Sequence, residues 1–278
     1  MFGRNFVRTA GGLLLAAAFM ALFAGCSRVR SLEKIKKSGT VVMYTNASWP
    51  PYEYIGENSR PEGIDIDIGK AIAEELGCEL RITDALFDGF SLALQNGQAD
   101  MAISAISINP ERQETLDFSI PYVVTVQAIL TGRALDSEEP LTLDDFAGGK
   151  IGVQLGTTGD FLVSKQIENG VLKGTNTQVV QFKNLQEAVL SMKKGDLVAV
   201  VGDREPIYNL QTANNTLNAI KLALKNETIE EESYGIAVAK GNKELLDVIN
   251  KTLAHLLESG AIEQSRIYHT ENSKNTEK

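Results

Sequence analysis

The chain has 278 residues, 43% of them hydrophobic and 23% charged, enough for two domains at roughly 150 residues each and for a substantial buried core. Its 24 Gly and 7 Pro exclude collagen-like repetition and low complexity. With 27 Lys and Arg against 36 Asp and Glu the net charge is −9, which argues against a nucleic-acid partner because a phosphate backbone requires a basic face; two Cys and two His leave little for a zinc site or a Cys/His nucleophile, and no cofactor is called for.

Arg4 and Arg8 precede an uncharged run of 15 residues, 10–24. It is too short to span a bilayer and has the charged n-region and apolar h-region of an export signal. The run ends in Leu22, Phe23, Ala24, Gly25 and Cys26. A small pair directly before Cys resembles the lipobox at which bacterial lipoproteins are lipidated on Cys26 and cleaved in front of it, with Phe23 standing where an aliphatic residue is usual. The alternative is an ordinary secretory signal that ends beside a cysteine. Removal of residues 1–25 takes away two arginines and no acid, so the mature chain carries 25 − 36 = −11. With Cys26 acylated, Cys78 has no disulfide partner and reads as a buried small hydrophobe beside Gly77.

Residues 26–38 read as a polar tether with room for one helical turn at 32–37. Residues 40–45, β-branched and apolar, form a strand that Trp49, Pro50 and Pro51 end. The period then changes: Ile64, Ile66, Ile68, Ile72 and Leu76 make a helix with Asp65 and Asp67 in its first turn and Gly77 as its stop. Residues 79–83 are a strand, 87–96 a helix stopped by Gly97, and 101–106 a buried strand. The pattern recurs as strand 150–154, helix 158–169, strand 177–182, helix 184–194 with an Asn184/Glu187 capping box, and strand 197–201. Two βαβαβ units predict an α/β protein of two lobes, each a mainly parallel sheet flanked by helices. Residues 122–131 connect the units as an extended apolar run. Residues 234–239 form a further strand, 242–259 an amphipathic helix stopped by Gly260, and a short helix to Tyr268 precedes a polar, frayed tail over 269–278.

In such sheets ligands bind at the carboxyl ends of the strands, in the cleft between lobes. After strand 101–106, Ser107 and the amides of a helix start suit an anion, and Arg112 offers a fork for a carboxylate; read alone, Arg112 is also a first-turn surface arginine. After strand 150–154 the turn Leu155, Gly156, Thr157, Thr158, Gly159 opens a helix. It lacks the Gly-Lys-Ser/Thr ending of a phosphate loop, so a carboxylate suits it better than a nucleotide. Asp203, after Gly202, places one carboxylate at the rim for an ammonium, or caps the helix that starts before Glu205 and Pro206. Carboxylate receptors on both lobes and an ammonium receptor on one form a zwitterion clamp, which means a free amino acid.

Residues 42–54, 63–67, 100–112, 117–122 and 152–158 together resemble the bacterial extracellular solute-binding proteins of family 3, the polar amino-acid receptors of ABC importers. The resemblance runs from about residue 38 to 268. It implies the two-lobed periplasmic-binding-protein, or Venus flytrap, fold. A discontinuous first lobe takes residues 39–123 plus 232–268, the second takes 127–228, and hinge strands lie near 122–126 and 227–231. It implies that Arg112, five residues after Ser107, holds the ligand's α-carboxylate with the amide of Thr158 and its neighbour Thr157. The α-ammonium goes to the Ala105 carbonyl, the Ser107 hydroxyl and Asp203; Trp49 and Phe87 wall the side chain, and Gln154 meets its distal group. Two departures are the strand end Ser104, Ala105, Ile106, without the frequent glycine, and the absence of a Trp-Phe ending after Tyr268. Cation readers in the family usually carry an acid near the first loop, where this chain has Asn46 and Ser48. The expectation is therefore a neutral polar, glutamine-like ligand, with a basic amino acid or cystine as the alternative. The implied protein is a monomeric carrier, anchored through Cys26 on the extracytoplasmic side of the cell membrane, that closes on a free amino acid and docks on an ABC permease. Periplasmic lyases of the cyclohexadienyl dehydratase type share the fold, but an enzyme needs an acid/base pair, and a rim with Asp203 and no His is poor material for one.

Overall fold

The computed structural model describes residues 29–133, 141–214, 216–224 and 229–276; the segment read as an export signal, Cys26 and the first residues read as a tether lie outside them. Among the described residues no helix is long and apolar enough to cross a membrane. The segment read as a tether is folded from Ser31 onward. Helix α1 (Leu32–Ser38) is capped by the Ser31 hydroxyl and closed by Gly39 in the left-handed region. Ile35 is fully buried, and Arg30 pairs with the carboxylate of Asp100. One apolar side chain per turn is enough to pin this lysine-rich helix to the first lobe.

In chain order there follow β1 (Thr40–Thr45), the short strands β2 (Ser48–Trp49), β3 (Glu53–Ile55) and β4 (Pro61–Glu62), then α2 (Ile64–Leu76), β5 (Glu79–Asp84), α3 (Phe90–Gln95), β6 (Met101–Ala102), α4 (Pro110–Thr115) and β7 (Leu116–Phe118). The chain leaves on β8 (Val123–Thr125) into β9 (Gln127–Thr131), β10 (Lys150–Gln154), α5 (Thr158–Asn169), β11 (Gln178–Phe182), α6 (Leu185–Lys193), β12 (Ala199–Asp203), α7 (Arg204–Ala213) and β13 (Asn218–Lys221). It returns on β14 (Glu232–Tyr234) to β15 (Ala237–Ala239), α8 (Lys243–Glu258) and α9 (Ala261–Thr276).

The first lobe's sheet has the order β5-β1-β6-β15-β7 and the second β11-β10-β12-β9-β13. In each, the βαβαβ unit supplies parallel pairs, β1 with β5 and β6, and β10 with β11 and β12. The strands next to the crossings, β15 and β9, add antiparallel pairs. The helices bury one stripe each: α2 places Ile64, Ile66, Ile68, Ile72 and Leu76 inside, and α8 places Leu245, Ile249 and Leu253.

Strands β8 and β14 pair antiparallel, with Val124 opposite Ser233, and form the double connection between lobes. The return strand thus lies after the 227–231 stretch expected for it. The apolar run 234–239 reads as one strand, but it breaks at Gly235 and Ile236, so Tyr234 belongs to the connection and Ala237–Ala239 to the lobe-one sheet. The C-terminal expectation also changes. Instead of fraying after Tyr268, α9 runs to Thr276, with His269 4% and Ser273 2% exposed. His269 bonds the Tyr54 hydroxyl through Nδ1 at 2.9 Å and the Asp67 carboxylate through Nε2 at 3.0 Å. Polar residues that look like solvated tail are the groups that fasten α9 to α2 and β3. Cys78 is half-buried rather than buried, with Sγ 3.8 Å from the Ile35 carbonyl oxygen at the edge of the core.

Candidate functional site

The carboxyl ends of β1, β6, β10 and β12 converge on one small cavity between the lobes, as expected where strand ends of two α/β lobes face each other. From lobe one Trp49, Phe87, Ala105, Ser107 and Arg112 line it, and from lobe two Gln154, Thr157, Thr158 and Asp203. All nine residues singled out in the sequence therefore face the same space. Asn46, Glu53 and Ser104 join them. Sequence reasoning gave Glu53 no role, because strand alternation sets an acid between Tyr52 and Tyr54 on the face opposite the two aromatics, whereas here Glu53 and both tyrosines are buried.

Arg112 sits in the first turn of α4, whose start is set by the Asn109 side chain accepting from the Arg112 amide at 2.8 Å and by Pro110. Its guanidinium donates to the Ser107 carbonyl at 2.7 Å and, across the cleft, to the Gly156 carbonyl at 3.0 Å. It also lies 5.3 Å from the centroid of the Phe87 ring, a cation–π distance. The surface alternative for Arg112 does not describe this residue. Burial lowers its pKa, opposed by the charges of Asp203 and Glu232.

Ala105 adopts a left-handed backbone with φ 47°, a conformation costly for a residue with a Cβ. Its N–H donates to Asp65 Oδ2 at 2.7 Å, and the Tyr122 hydroxyl donates to Oδ1 at 2.9 Å. Asp65 reaches this position because α2 starts at Gly63, φ 134°, where a Cβ would strike the Tyr52 carbonyl. Beside it Glu53 accepts from the Ser104 hydroxyl at 2.7 Å. Burial drives the Glu53 carboxyl well above the carboxylate range, and the neighbouring charge of Asp65 adds to this. Asp65 itself is raised to about 6, by burial working against its hydrogen bonds from Ala105 and Tyr122.

On lobe two Gly156, φ 77°, turns the chain from β10 into α5, and the Thr157 hydroxyl accepts from the Asp160 amide at 3.3 Å as the N-cap. The Thr158 hydroxyl donates to Glu232 of β14 at 2.6 Å. Asp203 occupies the N-cap position of α7 yet makes no capping bond. Its carboxyl instead receives Gln127 Nε2 and the Tyr234 hydroxyl, both from strands at the connection. Burial first, then the charge of Glu232, lifts Asp203 to about 7 despite these donors and Arg112. A cationic group placed at this carboxyl would restore its charge.

A cavity between two α/β lobes, with an arginine on one and a carboxyl on the other, has its counterpart in known proteins. The model of the bacterial extracellular solute-binding proteins, family 3, matches residues 41–269. The chain belongs to this family. A probable histidine-binding protein of Neisseria gonorrhoeae is 31% identical over 81% of this chain and 80% of its own length. The L-cystine-binding protein of Escherichia coli is 26% identical over 90% and 91%. An amino-acid ABC transporter substrate-binding protein of Streptococcus pneumoniae, solved with L-arginine, superposes with a TM-score of 0.78 at 28% identity, over 87% of this chain and 98% of that one. The fold is thus that of the two-lobed amino-acid-binding proteins, and membership of an extracellular family places this binding protein outside the cytoplasm.

Proposed function

We propose that this protein carries a free amino acid with a cationic side chain, arginine foremost, to the permease of an ABC importer while tethered to the membrane through a lipid on Cys26. In this reading Arg112 and the Thr157–Thr158 turn hold the α-carboxylate. Ala105, Ser107 and Asp203 hold the α-ammonium, and Trp49 and Phe87 flank the side chain. The observation that carries the cationic preference is Glu53, a fully buried carboxyl in the cavity wall, whose charge burial disfavours and a cation beside it would restore. The expectation of a neutral ligand rested on Asn46 and Ser48 at the first loop, and Glu53 supplies from β3 the acid that those positions lack. Relatives named for binding histidine and arginine favour the same choice, and the relatives' being binding proteins favours carriage over lyase chemistry.

Titration calorimetry on the mature protein with arginine, lysine, histidine, cystine and glutamine tests the reading. Arginine should bind tightest, and Glu53→Gln should weaken arginine more than glutamine. Glutamine binding more tightly than every cationic ligand would return the assignment to a neutral side chain. Cys26→Ser should move the protein from the membrane fraction to the soluble fraction.

A further inference from the structure

Three side chains in a row fix the polarity of one end of the cavity. Asn46 Nδ2 donates to the Ala85 carbonyl at 3.0 Å. A backbone carbonyl only accepts, so this bond sets which way the Asn46 amide faces. Its Oδ1 is then turned to two donors, the Ser48 hydroxyl at 2.6 Å and, across the cleft, Gln154 Nε2 at 3.1 Å. Gln154 is only 2% exposed and lines the cavity, and with Nε2 engaged its Oε1 is left buried without any protein partner. Burying an acceptor without a donor costs free energy unless something else in the cavity provides one.

We infer that the Ala85–Asn46–Gln154 relay makes this end of the cavity an obligate acceptor, so that the ligand is selected for a side chain ending in a hydrogen-bond donor. Asn46 is a positioning residue: it orients Gln154, which meets the ligand. The inference rests on the reading of the cavity as an amino-acid site and narrows it. Guanidinium, ammonium, imidazole and carboxamide ends satisfy Gln154 Oε1; carboxylate, ester and thioether ends leave it unpaired. Burial disfavours the charge of Glu53, so Glu53 discriminates by gaining charge beside a cation, whereas the relay discriminates among neutral ligands as well, and this separates the two effects.

The test is calorimetric titration of the mature protein with arginine and glutamine as donor ligands and with glutamate and its γ-methyl ester as acceptor-only ligands. The ester is neutral and close to glutamine in shape, so it reports donation without charge. The better donor ligand should bind about 10- to 100-fold tighter than the ester, the range for one buried unpaired polar group. In Asn46→Ala the Gln154 amide is free to turn, and this ratio should narrow to about threefold, within the uncertainty of a single hydrogen bond. Gln154→Met, which removes the acceptor without touching the relay's backbone anchor, should narrow it as well by weakening the donor ligands. An ester bound within threefold of the better donor by the unaltered protein overturns the inference, as does a ratio unchanged in either variant. Failure of all four ligands to bind overturns the amino-acid reading itself and this inference with it.

Discussion

Arg112 spends part of its guanidinium on two backbone carbonyls, Ser107 on its own lobe and Gly156 on the other, so the fork is oriented before a carboxylate arrives. Arg112→Ala should therefore cost about 2–5 kcal/mol of binding, the range for removing one partner of a buried, hydrogen-bonded charge pair; unchanged affinity by calorimetry removes Arg112 from the site. Asp203 gives the pH dependence. With its carboxyl raised to about 7 in the unoccupied protein, acid protonates it and deprives an α-ammonium of its counter-charge. Affinity should fall as the pH drops below about 7, by up to about tenfold per unit for one linked proton, and Asp203→Asn should flatten the profile. For the fold the sign is opposite. A carboxyl raised above its unfolded value favours the protonated form, so it penalises the unoccupied protein increasingly as the pH climbs from about 4 to 7 and not below that window. The arginine and the acid were both legible in the sequence because each follows a strand end at a helix start. Glu53 was not, because it lies in a loop strand whose inward face depends on how β2, β3 and β4 fold back.

At the scale of elements, the site is built from strand ends and helix starts, and local chemistry determines most of these. Asn109 and Pro110, Thr157 and Asp160, and Asn184 with the Glu187 amide each start a helix with bonds that span a few residues. Strand 101–106 is regular only over Met101–Ala102 and strand 234–239 breaks in two, while two helical segments differ from expectation because their partners are remote in sequence. Helix α1 is held by Ile35 and by the pair of Arg30 with Asp100. Helix α9 is held by His269 against Tyr54 and Asp67, 215 and 202 residues earlier in the chain. His269→Ala should cost about 1–3 kcal/mol of stability because it leaves the buried Tyr54 hydroxyl without this partner and removes one of the bonds to Asp67, measured as a lowered denaturation midpoint with ligand binding retained. Asp67 extends this to acid. Its bonds from His269, Lys70 and Ser265 outweigh the effect of burial and hold it at about 2. The stability it contributes is complete above the unfolded value of about 4 and is lost as the pH falls towards 2.

For the whole molecule, the lobes meet through bonds that need no ligand. Gln186 at the start of α6 reaches from lobe two to the Ser48 carbonyl at 3.0 Å, one residue before Trp49, and Gln154 reaches Asn46 on the same loop. These bonds favour the closed arrangement that a bridging ligand also favours. Gln186 does not line the cavity, so Gln186→Ala should act on closure alone. The unliganded protein becomes more open by small-angle scattering, and affinity falls about 2- to 10-fold through faster dissociation, as expected for one net hydrogen bond. Trp49 is the chain's single tryptophan, so its fluorescence reports that dissociation directly; an unchanged rate excludes Gln186 from closure.

By itself the sequence determined the two α/β lobes, the strand-end loops that line the cavity between them and the family to which the chain belongs. These rest on hydrophobic period, turn residues and caps, all of which act over a few residues. Only the tertiary structure decided that Glu53 lies in the cavity wall, that Asp203 answers to Gln127 and Tyr234 instead of capping α7, and that the polar C-terminus is a fastened helix. Each of these depends on which distant groups share a buried space, where a carboxyl or an amide takes its partner and its protonation from whatever folding brings beside it.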